Sequence, residues 1–330
     1  MLVRSSLALG LVAASLLMFA PPAASAPNWP ASYSTGPAGK RIILPPTKGV
    51  LVGLAAGGAR QIRKRQRYLG RRLDIEHRFY GTCTFPTSAA SAIVSHRRTP
   101  MISWSGPTFS LTQIANGEAD ACFRSFGAGL AAWDRRLFLR IYWEFNGTWF
   151  PWSGTGDVFV SAWRRTVNVL RGEGVRKASF VWAPGEGHGC LRDCYPGDAY
   201  VDWVASDGYN WNRPDAWCGA LGNPHPGWCK FEEIFHDIPG DNVERMWGAT
   251  KPFMVAETGS REGWPGRKGR WFRQARDAIK ARFPHMHALV YLDYNTSPDE
   301  GCCNWRLDSS RSSLRGFRAL ARDPHFWTRR

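Results

Sequence analysis

Hydrophobic and polar positions along this chain follow two alternating rhythms. Short apolar runs recur at Val50–Leu54, Asp74–Phe79, Met101–Trp104, Leu137–Trp143, Ala178–Trp182, Val201–Ser206, Phe253–Glu257 and Ala288–Asp293. Most are separated by longer stretches with helical spacing, such as VFVSAWRRTVNVL (158–170) and WFRQARDAIKA (271–281), apolar on one face and basic on the other. The segment before the seventh run is less regular, with PHPGW and only a short helical stretch near Phe231–Phe235. Eight strand–helix alternations predict an α/β fold, a single-domain (β/α)8 TIM barrel over residues 49–330, more readily than an open sheet. Functional residues then belong where strands end and the next loop begins. No internal repeat is present.

The N-terminus adds a compartment. Residues 1–26 have the build of an export signal: Arg4, the apolar LALGLVAASLLMFA, and Ala24-Ser25-Ala26 as a small-residue cleavage site. That run falls short of the roughly 20 apolar residues that span a bilayer, and no later stretch approaches it. The expected product is secreted, without a membrane anchor, and begins near Pro27 with a Pro-, Gly- and Ser-rich lead-in over residues 27–48. Eight cysteines in an exported chain point to disulfides, with Cys83/Cys122, Cys190/Cys194 and Cys218/Cys229 as candidate pairs. A zinc site at His188, Cys190 and Cys194 is the competing reading, and export together with the even count favours disulfides.

Two carboxylates stand out on this frame. Glu144 follows the fourth run directly, in LFLRIYWE, and Glu257 ends the seventh, in PFMVAE. In a closed eight-stranded barrel, strands four and seven face each other across the mouth. Glycoside hydrolysis needs such a pair: one acid protonates the departing oxygen while the other attacks the anomeric carbon or activates water. Trp143, Phe145 and Trp149 would desolvate Glu144 and favour its proton-donating form. Arg140, if its strand bends inward, would keep Glu257 ionised. Indole and phenol rings also suit the apolar faces of sugars. Taken singly, a glutamate at a strand end is more often a helix cap or a solvated loop charge.

The stretch RIYWEFNGTWFPW resembles the acid/base signature of glycoside hydrolase family 26, the group best known for β-mannanases. Arg140, Glu144, Asn146, Gly147, Trp149, Pro151 and Trp152 match it at the right spacing. FVWAP (180–184), YPGDAYVDWVASDGY (195–209) and PFMVAETG (252–259) are similar to the family's strands five, six and seven. The resemblance runs from about residue 50 to 320. It implies a retaining endo-acting enzyme with Glu144 as acid/base and Glu257 as nucleophile. It further implies that Tyr209 orients the nucleophile, that Trp149, Trp152 and Trp182 are sugar platforms, that Asn146 belongs to the substrate-binding set, and that Arg140 supports the site. Retention predicts carboxyl groups about 5 to 5.5 Å apart. One departure bears on the sugar: Trp143 stands where the family has histidine, and His77, at the end of run two, is a candidate substitute contact. The family also includes enzymes acting on β-1,3-xylan and mixed-linkage β-glucan.

Other features are weighed against this reading. The net charge of +16 raises nucleic acid or an anionic wall polymer as partners. The densest basic cluster, Arg60 to Arg72, has Ile62, Tyr68 and Leu69 on one helical face and reads as a solvated outer helix rather than an anion stripe. Glu186 and His188 are either subsite residues or loop structure. Asp198 and Asp202 brace the entrance of strand six, Asp207 is a candidate for orienting its neighbours, and Asp293 for a subsite contact. Asn146-Gly-Thr148 and Asn295-Thr-Ser297 are formal glycosylation sequons, the first incidental because a glycan there would block the cleft. The expectation is a monomeric glycosidase with a polysaccharide substrate, no cofactor, no metal, and neither nucleic-acid nor membrane partners. Its rivals are an idle, polysaccharide-binding barrel and a basic nucleic-acid-binding protein.

Overall fold

The computed structural model describes residues 42–186, 189–212, 227–236, 242–296 and 303–327. Residues 1–41, which hold the expected export signal and most of the lead-in, and His188, Cys218, Cys302 and Ser297 of the second sequon lie outside them.

Eight strands, β1 (Leu51–Ala56), β2 (Ile75–Tyr80), β3 (Thr99–Trp104), β4 (Leu137–Ile141), β5 (Ala178–Trp182), β6 (Trp203–Asn210), β7 (Phe253–Ser260) and β8 (Met286–Asp293), close into one barrel in sequence order. Every neighbouring pair is parallel, and β8 returns to β1. The near-continuous apolar character of the runs follows from this closure, because parallel strands are covered on both faces. The expected TIM barrel is therefore present.

Helices wrap the outside: α1 (Ala59–Leu69), α2 (Thr87–Ser95), α3 (Leu111–Asn116), α4 (Asp120–Trp133), α5 (Gly156–Gly172), α6 (Phe231–Phe235), α7 (Val243–Trp247), α8 (Arg267–Arg282) and α9 (Arg311–Arg322). α5 buries Phe159, Trp163, Val167 and Leu170 at the three- and four-residue spacing its sequence displays, with basic residues outward. Among the described residues, the irregular stretch before β7 supplies α6 and α7. Between β5 and β6, the described residues carry a loop closed by the Cys190–Cys194 disulfide in place of a helix. Cys83 and Cys122 are also joined, and Cys229 and Cys303 are disulfide-bonded too. Under the barrel, Ile43 donates its amide to Ser179 Oγ (2.8 Å) and accepts from the Trp203 indole (2.8 Å), so the last residues of the lead-in close the floor.

Two strand ends differ from expectation. β4 stops at Ile141 because Tyr142 and Glu144 both take left-handed backbone (φ 45° and 51°), which ends the ladder and turns the chain across the mouth. β7 runs three residues past Glu257, and its register slips against β6 and β8 around Ala256 and Glu257. Such a bulge re-aims side chains locally.

The basic helix α1 is only partly a solvated face. Arg60, Arg63, Lys64 and Arg67 are exposed, but Arg65 is buried and ion-paired to Asp293 (2.6 Å) and Asp308 (2.8 Å). Arg71 donates to the carbonyls of Ala321 and Phe326 and pairs with Asp74. Asp293 also accepts from Gln61 and the Leu307 amide and is fully buried, so the subsite contact considered for it gives way to an anchor between β8, α1 and the turn before α9. Asp202 braces strand six as expected, accepting the Phe180 amide at 2.8 Å.

Candidate active site

The centre of the mouth is built around one cation. Arg140 lies on β4 and is fully buried. β4 pairs in register with β3, bringing Arg140 opposite Ser103, and its Nε donates to Ser103 Oγ at 2.6 Å. Nη1 donates to Asp207 on β6, and Nη2 donates to Glu257 Oε2 on β7 at 2.6 Å. Burial works to lower the pKa of this guanidinium, but the attraction of Asp207 and then Glu257 outweighs it and raises the value. Arg140 thus stays charged and ties its own strand to three others. The faces of Trp143 (5.3 Å) and Phe79 (5.7 Å) flank it, a cation–π arrangement that suits a dry cation.

Glu257 is held at both oxygens. Tyr209 donates its hydroxyl to Oε1 while Arg140 takes Oε2. Burial, followed by the charges of Glu257 and Glu144, pushes the Tyr209 phenol well above its ordinary value, so it remains a donor. The bulge at Glu257 lets the carboxylate sit between the two donors.

Glu144 stands on the left-handed turn after β4. Its amide donates to Ala183 O (2.8 Å), fastening the turn to the end of β5. The Trp149 indole donates to its Oε2 at 2.7 Å. A Cβ on Gly147 would come within 2.4 Å of the Trp149 ring, so glycine there is what lets the indole fold back onto Glu144. Trp149 is half-exposed, at 51%, with its ring available to the cleft.

The remaining expected residues divide by burial. Asn146 clasps Gly185, donating to its carbonyl and accepting its amide, both at 2.8 Å. It thereby fixes the loop after β5, and at 9% exposure its amide is out of reach of a glycan. Trp143 and Trp152 are each 8% exposed; the Trp152 indole donates to Trp143 O, and its ring stacks on Phe150. They form the backing of the wall rather than its open face. Trp182 is fully buried, with its indole donating to Cys194 O and its ring against Tyr195 and Trp247. The platform expected of Trp182 is therefore replaced by a core role, because its ring faces are covered. Arg140 is sealed likewise and acts on the carboxylates, not on a sugar.

His77 is fully buried as well. Ser103 Oγ accepts from Arg140, and the same hydroxyl shares a hydrogen bond with His77 Nε2 at 2.7 Å. Burial, then Arg140 and Arg78, hold His77 well below its usual pKa, so it is neutral. The substitute sugar contact considered for His77 is a prop beneath Arg140.

Sequence reasoning passed over two residues. Phe79, 38% exposed at the end of β2, edges onto Trp143 and continues the aromatic wall. Ser103 relays Arg140 to His77. An aromatic ending a strand run is a signal that could have found Phe79; nothing local marks Ser103. Glu186, left open between subsite and loop, is neither paired nor solvated. Both its carboxylate oxygens are buried without a hydrogen-bond partner, against Gly208, where a Cβ would come within 1.8 Å of Oε2. Burial, then Asp207, then Glu144, push its pKa well above the carboxylate range.

A closed parallel barrel with one glutamate at the exit of strand four and another on strand seven, each held by its own donors, is the layout expected of a glycoside hydrolase. Comparison with known proteins agrees. Residues 135–218, which include Arg140, Glu144, Trp182 and Tyr209, match Glycosyl hydrolase family 26. Endoglucanase H of Acetivibrio thermocellus is 29% identical over 272 residues, covering 78% of this chain, and the chain spans 28% of that protein's length. Among solved structures, a modular endo-β-1,4-mannanase from Cellulomonas fimi superposes with a TM-score of 0.62 at 20% identity, over 85% of this chain and 72% of that one. A β-mannanase from Bacteroides ovatus gives 0.61 at 17% identity, over 86% and 91%. These likenesses establish the fold, and with the matched segment they bear out the resemblance to glycoside hydrolase family 26.

Proposed function

We propose that this protein is a secreted, retaining glycoside hydrolase acting on β-linked polysaccharide, β-1,4-mannan foremost. Glu144 protonates the glycosidic oxygen as Glu257 attacks the anomeric carbon, giving a covalent glycosyl-enzyme. Glu144, now a carboxylate, removes a proton from the incoming water, whose oxygen displaces Glu257. The observation that carries this reading is the two-sided grip on Glu257: Tyr209 and Arg140 fix both oxygens, leaving the carboxylate oriented and its charge offset for attack. The cleft position of Glu144 under a half-exposed indole supports the partner role. Export is supported by the disulfides, which persist in oxidising surroundings.

A second substrate is favoured by one comparison. Endoglucanase H, at 29% identity over a stretch equal to 28% of its own length, stands nearer in sequence than the two mannanases above, which supports β-glucan as a substrate beside mannan. The test is a panel of mannan, β-1,3-xylan and mixed-linkage β-glucan read by reducing-end release, with product anomers followed by proton NMR. Retention is expected, and Glu144→Gln and Glu257→Gln should each lose roughly a hundredfold or more of turnover. Inversion of configuration, or full activity in either variant, would overturn the assignment. An idle polysaccharide-binding barrel would bind a polymer, cleave none of them and be indifferent to Glu144→Gln.

A further inference from the structure

Past Ser260 the chain leaves β7 in a turn, residues 261–266, fixed at both ends. The Arg261 amide donates to Asn210 O (3.2 Å) and its guanidinium to Trp211 O (3.3 Å). Glu262 accepts from Ser309 Oγ at 2.5 Å, and the Arg267 amide closes the turn on Trp264 O at 2.9 Å. Between these ties stands Trp264, 76% exposed, the most exposed large apolar side chain among the described residues. The Arg267 guanidinium lies 4.1 Å from the ring centroid of the half-buried Trp228 and 5.1 Å from that of Trp264.

This patch adjoins the reacting centre. Tyr209, which grips Glu257, packs its ring on Trp211 (5.4 Å), whose carbonyl receives Arg261 at the start of the turn. The turn follows the strand that carries Glu257, so it opens on the catalytic face. An indole left in water forgoes the gain that burying its apolar faces would bring. Because the backbone is already pinned, little ordering would be lost when a ligand covers the ring.

We propose that Trp264, with Trp228 and Arg267 beside it, forms a distal sugar subsite that holds a further residue of the polysaccharide chain cut between Glu144 and Glu257. The indole takes the apolar face of the pyranose, and the Arg267 guanidinium donates to hydroxyl or carboxylate oxygens at its rim. This rests on the glycosidase reading above.

The experiment compares the full chain with W264A and W264F on the polymer the panel selects and on a chromogenic aryl disaccharide of the same sugar. The expected result is a loss of roughly tenfold in kcat/KM for W264A on polymer, mostly through KM, that exceeds the loss on the disaccharide by about that factor. W264F should recover most of it. Equal losses on both substrates, or an unchanged polymer rate, would overturn the subsite. Should the wild type cleave no polymer, the glycosidase reading fails separately. Affinity electrophoresis through gels containing the same polymers then decides the site: retardation weakened in W264A supports it, and equal or absent retardation overturns it.

Discussion

Arg140 and Glu257 meet at 2.6 Å in the floor of the cleft, and the same guanidinium holds Asp207 from its other nitrogen. One buried cation therefore serves acids from two neighbouring strands. Removing it leaves two carboxylates facing each other with no counter-charge. Arg140→Met is expected to cost about 3–5 kcal/mol of stability, measured by urea unfolding, along with nearly all activity. Arg140→Lys keeps the charge but cannot fork to both acids, so it should unfold at an intermediate urea concentration while losing activity almost as fully.

The Tyr209 hydroxyl donates to Glu257, which commits it to orienting that carboxylate. Tyr209→Phe should lower kcat by about 10- to 100-fold, as loss of a supporting hydrogen bond does at a comparable site, with KM nearly unchanged. Steady-state kinetics on the preferred polymer check this. A rise in KM with kcat intact would mean that the hydroxyl binds sugar instead.

Glu244, on α7, is buried and accepts the His285 amide at 3.0 Å, and burial raises its pKa from the ordinary 4.5 to about 7. The native state then holds a proton that the unfolded chain gives up above about pH 4.5. Its favourable contribution is complete below that pH and fades as pH rises through 7. Glu244→Gln keeps an acceptor for the amide and carries no charge. It should match the wild type at pH 4.5 and exceed it at pH 8 by up to about 3 kcal/mol in chemical denaturation. Equal curves at both pH values would remove burial as the cause.

The Cys83–Cys122 disulfide joins the loop after β2 to α4 and encloses a chain separation of 39 residues. Replacing both cysteines by serine is expected to destabilise the fold by about 2–4 kcal/mol on the loop-entropy argument. The Cys190–Cys194 bridge, spanning four, should matter less to stability. Thermal unfolding of the two double variants orders them.

The barrel was legible because each strand is buried on both sides, so its apolar run announces itself without help from distant residues. Glu144 and Glu257 could be found for a related reason: both follow such runs directly, and the strand-four motif is dense. What escaped notice depends on barrel closure. Arg65 reads as one more basic residue on a solvated helix, and only the meeting of α1 with β8 shows it seated on Asp293. Trp182 carries the composition of a sugar platform, yet the loop closed by Cys190 and Cys194 and the ring of Trp247 roof it over. His77 looked like a cleft residue until Ser103, itself tied to Arg140, claimed its nitrogen. Local pattern locates strand ends; which face stays open is decided by parts of the chain far away.

The left-handed backbone at Tyr142 and Glu144 shows what holds the mouth independently of its acid. Each such residue is disfavoured by about 1 kcal/mol or more unless its surroundings impose it. Here the Tyr142 hydroxyl on Thr166, the Glu144 amide on Ala183 O and the Trp152 indole on Trp143 O do the imposing. None of those anchors uses the glutamate's carboxyl. A variant without that carboxyl should therefore keep the scaffold around it, leaving a barrel with the same mouth and no acid at its fourth strand.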